Sequence, residues 1–196
     1  MDSNIIIDKI LIPSLYKLYE MDYINILYDV SERNICARLA HHMENIMRDY
    51  DRSNNCNDFY NYYADVEYDR MDNGKRKCHE NAEELPQVMV SDLLIHGRNS
   101  RLPNLLAVEM KKRGRNNIDV DKDKFRLAKL VSKNRPTSDN CVFGTLIGAF
   151  ITYSKKGVTI CQFEDREGHG EQVAEIKYCY NTGMCQLEYK SFESIK

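Results

Sequence analysis

Two segments, residues 88–96 (VMVSDLLIH) and 104–112 (NLLAVEMKK), carry apolar side chains on both faces and are joined by the short link GRNSRLP. A strand that is apolar on both sides has to be covered on both sides, so these two read as central strands with further layers above and below them. Each run is interrupted by charge at one point only. Asp92 is the single acid of the first, and Glu109 and Lys111 close the second.

The rest of the chain supplies those layers. Residues 14–28 show apolar groups at mixed helical spacing and predict a leading helix. A second helix is expected from about 31 to 48, where Asp29 or Ser31 can cap the start and Ile35, Leu39, Met43 and Ile46 recur at three- and four-residue steps. Residues 51–58 form an Asn-rich loop, 62–70 (YYADVEYDR) alternate as a strand does, and the polar stretch 71–86 interrupts the sheet. After the central pair, 121–132 (DKDKFRLAKLVS) predict a helix and 142–153 (VFGTLIGAFITY) a buried strand. Residues 158–164, 172–180 and 184–190 predict an antiparallel extension, with a turn at Asn181-Thr182-Gly183 between the last two. The expected fold class is α/β: a central mixed β-sheet flanked by helices, with a C-terminal antiparallel extension over 158–190.

A chain of 196 residues holds one domain with its own core and is short for two. With 42% hydrophobic and 30% charged residues, it lies in the range of ordinary globular proteins. The apolar residues 5–7 are broken at once by Asp8 and Lys9, unlike a secretory signal, and no stretch is long enough to span a bilayer. The seven cysteines are odd in number and scattered, several within apolar segments, which fits a reducing, cytoplasmic setting.

Side chains alternate across a strand, so Glu109 and Lys111 project to the same face while Met110 points to the other. Burying ionisable groups there is costly unless they are paired or bind a metal. With the two strands side by side, Asp92 and Glu109 are placed to share one divalent cation. Asp92, followed after a hairpin-length gap by Glu109-Met110-Lys111, resembles the signature of the PD-(D/E)XK nuclease superfamily, the restriction-endonuclease-like fold. The likeness extends to the order helix, three strands, helix, strand over roughly residues 31–153; Ser91 stands where the family name has proline. The resemblance implies that Asp92 and Glu109, with the carbonyl of Met110, bind Mg²⁺ or Mn²⁺, and that Lys111 orients or activates the attacking water. It implies hydrolysis of DNA phosphodiester bonds. Glu32 lies in line with Cys36, Leu39 and Met43 on the core stripe of its helix. Many superfamily members place a helix glutamate beside the metal, and Glu32 matches it in position; the alternative is an acid favoured by the helix N-terminus.

Net charge is −2, yet residues 111–135 hold ten Lys and Arg against three Asp, a local balance of +7. Such a face suits polyanions. Lys122, Arg126, Lys129 and Lys133 form a stripe that either tracks a phosphate backbone or is a solvated face. Lys124 lies closer to the apolar side and is a candidate to reach the scissile phosphate, while Lys112, Arg113 and Arg115 are candidates for nonspecific phosphate contact. His96 shares the face of Asp92 and reads as a satisfied strand-end histidine. Cys56, Cys78 and His79 lack zinc-ligand spacing, Cys161, Cys179 and Cys185 offer no iron–sulfur set, and there is no glycine-rich phosphate loop, so no nucleotide cofactor is expected. Two readings compete with a nuclease: a non-catalytic nucleic-acid-binding or protein-interaction module, and a structural subunit whose acids merely pair with Lys111. Cutting both strands of a duplex requires two sites, so a homodimer accompanies the nuclease reading.

Overall fold

The computed structural model describes residues 1–67, 78–79, 87–88, 91–98, 102–114, 117–133 and 144–195. Its centre is a seven-stranded mixed sheet in the order β1 (Tyr63–Val66), β4 (Leu93–His96), β5 (Asn104–Lys112), β6 (Thr145–Ser154), β7 (Gly157–Arg166), β8 (His169–Asn181) and β9 (Gln186–Ser194). Every neighbouring pair is antiparallel except β5 and β6, which run parallel and are joined across one face by helix α5 (Asn117–Val131). A parallel pair needs such a crossover because a tight turn can only reverse the chain. Two dipeptides, β2 (Cys78–His79) and β3 (Gln87–Val88), pair with each other outside this sheet.

The two-sided apolarity of β4, β5 and β6 is used on both sides. Leu93, Ile95, Leu106, Val108, Met110 and Ile151 meet helix α4 (Glu32–Asn54) through Ile35, Leu39 and Met43, together with the leading helical segments. The opposite face presents Leu94, Ala107, Phe150 and Phe163 to Leu127, Leu130 and Val131 of α5. The Ser31 side chain caps α4 by accepting the Asn34 N–H. Asn55 ends the helix in the left-handed conformation, a role for which asparagine is suited.

Helix α4 continues to Asn54, through the first part of the loop expected over 51–58, and two further expectations are corrected. Helical structure begins near the start of the chain and not at residue 14: α1 (Ser3–Ile5), a π-helical turn (Ile6–Leu11), α2 (Ile12–Met21) and α3 (Tyr23–Leu27) succeed one another, and Ile6, Ile7, Ile10 and Leu11 are buried. The charges at Asp8 and Lys9, which break the apolar run in the sequence, are exposed on the outer side of the turn. The π turn sits just before Pro13, which has no N–H to give; Ile12 donates to Ile7 O in the wider register, and Ser14 Oγ donates to Ile10 O at 2.6 Å. The second correction concerns 88–96, expected as one strand: Val88 belongs to the small β2–β3 pair, and the ladder of the main sheet starts at Leu93. Residues 68–70, 142 and 143 of the other expected strands lie outside the described residues. The antiparallel extension is observed as β7, β8 and β9, longer at most ends than expected, with the Asn181 side chain accepting the N–H of Gly183 and of Met184 in the turn.

Helix α5 lies close on β8. A Cβ at Gly170 would stand 1.8 Å from the Ala128 carbonyl oxygen, and Ser132 Oγ donates to Gly168 O at 2.6 Å just beyond the helix end. We expect Gly170→Ala to destabilise the protein by about 1–3 kcal/mol, because helix and strand must separate to admit one methyl group. A urea midpoint equal to that of the parent would show that α5 does not approach the sheet this closely.

Candidate functional site

Strand β4 is shorter than its partner, and the chemistry sits where it stops. Leu93 pairs with Val108, so one step further Asp92 faces Glu109 across the end of the ladder. With no strand opposite, the Met110 N–H is taken by the Asp92 carboxylate at 2.8 Å, while the Asp92 carbonyl accepts the Glu67 N–H at 3.2 Å. A residue in a strand turns its N–H and C=O to the same side, so the Met110 carbonyl also looks towards Asp92. Asp92 is thus held from both neighbouring strands.

Glu109 and Lys111 share the α5 face, as alternation requires. Glu109 is fully buried: Arg126 Nη2 donates to its Oε2 at 3.1 Å, and Arg126 Nε lies 2.9 Å from Oε1 but off the line of a hydrogen bond. Burial and the charge of Asp92 push its carboxyl up to about 9, more than Arg126 pulls it down. The Lys111 ammonium stands 3.3 Å from Asp123, 3.6 Å from Glu32 and 3.7 Å from Asp92. Burial works against this charge, but Asp92, Asp123 and Glu32 outweigh it and raise the lysine above its ordinary value. Helix α5 contributes Asp123, which pairs with Arg126 as well.

Glu32, Asp92, Glu109 and Lys111 are therefore brought together from three elements, the first turn of α4, the start of β4 and the end of β5. Four carboxylates, counting Asp123, surround the two cations Lys111 and Arg126. Among the described residues no three His, Cys, Asp or Glu side chains converge as a ready metal-ligand group, since Lys111 and Arg126 lie between the acids. The donor set still suits a hard divalent cation: it is all oxygen, its charge exceeds that of the two bases, and Glu109 Oε1 is buried with no hydrogen bond among the described residues. Glu32, Lys111, Asp119, Lys122 and Asp123 line an open depression of about 310 Å³ at this point.

Asp123 was not among the residues expected here, although it could have been found. It is in line with Leu127 and Leu130 at steps of four and seven, an acid on the apolar stripe of α5, by the same reasoning that singles out Glu32. The basic residues divide. Arg126 leaves the expected outward stripe and turns into the site, whereas Lys122, Lys129 and Lys133 are exposed. Lys124 is not brought to the acids: it donates to Gln172 at 3.4 Å over the Phe150 ring, since one residue beyond Asp123 the helix has turned by about 100°. Lys112 pairs with Asp29, Arg113 is exposed, and Arg115 lies outside the described residues, as do the side chains of Cys78 and His79. His96 Nε2 donates to the Asp65 carboxylate at 2.9 Å, a satisfied histidine at the far end of β4.

The raised Glu109 carboxyl makes stability depend on pH. Between its ordinary value near 4.5 and about 9 the folded chain holds one proton that the unfolded chain has released, so stability falls as pH rises through that window. In EDTA we expect Glu109→Gln to remove a slope of about 1.4 kcal/mol per pH unit and to melt above the parent at pH 8. Parallel melting curves for the two proteins from pH 5 to 9 would show that Glu109 is ionised throughout.

No family model, curated protein or solved structure matches this chain.

Proposed function

We propose that this protein is a metal-dependent nuclease that hydrolyses DNA phosphodiester bonds on a restriction-endonuclease-like, PD-(D/E)XK core. The observation that carries the reading is the meeting of Asp92, Glu109, Lys111 and the helix acid Glu32 at the end of β5. The element order supports it: a helix, three antiparallel strands, a crossover helix and a parallel strand run from α4 through β1, β4, β5 and α5 to β6.

Asp92, Glu109, the Met110 carbonyl and Glu32 are the groups that would hold Mg²⁺ or Mn²⁺, which when bound supplies Lewis-acid compensation of phosphate charge. Lys111 is fixed by three carboxylates and kept protonated, so it can hydrogen-bond an attacking water or a phosphate oxygen without reorganising. Arg126 pairs with Glu109 and lessens the cost of ionising it, although burial and the charge of Asp92 outweigh that pull and leave the carboxyl raised. Asp123 ties Lys111 and Arg126 to one another.

The test is cleavage of circular plasmid and labelled single strands in Mg²⁺, Mn²⁺ and EDTA. Wild type is expected to cut with either metal and not in EDTA, and Lys111→Ala to lose about 100-fold or more in rate. A pure protein that cuts nothing with any metal overturns the nuclease reading. Retention of DNA in a band shift would then favour a binding module, and a melting temperature insensitive to metal would favour a purely structural ion-pair network.

A further inference from the structure

At the same end of the sheet as Lys111, but round the corner on the α4 side, lies a second depression of about 360 Å³. Ile26 and Tyr153 form its apolar lining, and Lys112, Arg113, Lys155 and Lys156 stand around it. Lys112 follows Lys111 directly and projects to the opposite face, pairing with Asp29. Among the described residues Arg113, Lys155 and Lys156 have no carboxylate partner, and all three are exposed. Neighbouring strands are about 4.8 Å apart, so the β6–β7 turn that carries Lys155 and Lys156 stands one strand beyond the end of β5.

The backbone of this turn is held by several hydrogen bonds. Tyr19, fully buried in α2, donates its hydroxyl towards Ser154 O at 2.9 Å and Gly157 O at 2.8 Å. Tyr23 of α3 donates to Lys155 O at 3.2 Å, and the Tyr180 N–H donates to Lys156 O at 2.9 Å. The carbonyls of 155 and 156 are each bonded, the one Tyr19 hydroxyl proton lies between those of 154 and 157, Ser154 Oγ also approaches Gly157 O at 3.3 Å, and Lys156 N donates to Ser154 Oγ at 3.2 Å. Gly157 closes the turn at φ +134°, where a Cβ would strike the Tyr178 carbonyl at 2.1 Å. These bonds fix the backbone from which the two exposed lysine side chains start, so less chain freedom is lost when they meet an anion.

We propose that Arg113, Lys155 and Lys156, with the β6–β7 turn propped by Tyr19 and Tyr23, form a seat for backbone phosphates of the DNA strand beside the scissile bond. The inference rests on the nuclease reading for its choice of ligand. It assigns the leading helices a purpose: they brace the turn that grips the substrate. It also makes the substrate a polynucleotide extending past the reacting phosphate.

Binding of a short fluorescent DNA duplex is measured across a salt series in the Lys111→Ala background, so that no cleavage intervenes. Lys155→Ala/Lys156→Ala is expected to weaken binding about tenfold and to lower the salt slope by about 2, with Arg113→Ala removing about 1 more. A Lys9→Ala/Lys17→Ala control on the leading helices should bind as the background protein does. Unchanged affinity and slope in the turn variant, an equal loss in the control, or no binding of DNA by the background protein would overturn the seat. Cleavage is scored separately on plasmid. A protein that binds through the turn yet cuts nothing keeps the seat and loses the nuclease reading, and one that cuts while the turn variant binds normally does the reverse.

Discussion

The burial of Glu109 governs the arrangement around it. A carboxylate with no exposed surface, one ladder step from Asp92, would cost several kcal/mol if left alone. Arg126 is brought in from α5 to meet it, and Asp123 on the preceding turn meets Arg126 and Lys111. The position of α5 therefore matters to the site as much as that of the strands. That position is set by the close contact at Gly170 and by the Ser132 and Lys133 bonds to the β7–β8 turn region.

The shortness of β4 matters in the same way. Had its ladder continued, Met110 would have been paired by backbone and Asp92 would have had no role at the strand end. Because pairing stops at Leu93, a side chain replaces a strand, and one polar edge opens beside Lys111. The N-terminus of α4 closes this opening with Glu32, although the body of that helix packs on the other face of the sheet. Both faces of β5 thus contribute to one site.

Such a concentration of acids is not optimal for stability. Four carboxylates around two bases leave an excess of negative charge, and the ordinary response, protonation of the most buried member, is what the raised carboxyl of Glu109 expresses. Under the proposed function, a divalent ion held here would relieve the same strain by neutralising charge instead of adding a proton. Among the described residues, the bases on the outer side of α5 and on the β6–β7 turn show one carboxylate pairing, Lys133 with Asp165 at 3.9 Å, and so stand outside this competition.

Much of this was legible in the residues. Period-two and two-sided apolar patterns located β5, β6 and the three C-terminal strands, and helical spacing located α4 and α5, because local periodicity reports which faces are buried. The same patterns singled out Asp92, Glu109, Lys111 and Glu32 as charges out of place on apolar faces. Other features depended on tertiary contacts. Helical structure starts earlier than local spacing predicts because burial of Ile6, Ile7 and Ile10 depends on a π turn that no simple period describes. Arg126 pointed inwards only because Glu109 was there to receive it, and Lys124 turned away towards Gln172. The stop of β4 and the bracing of residues 154–157 by tyrosines over 130 positions earlier in the chain were beyond any local reading. Sequence by itself determined which residues prefer to be buried and which charges contradict that preference; tertiary structure alone decided which charges meet, because long-range pairing is set by how helices and strands pack and not by their neighbours in the chain.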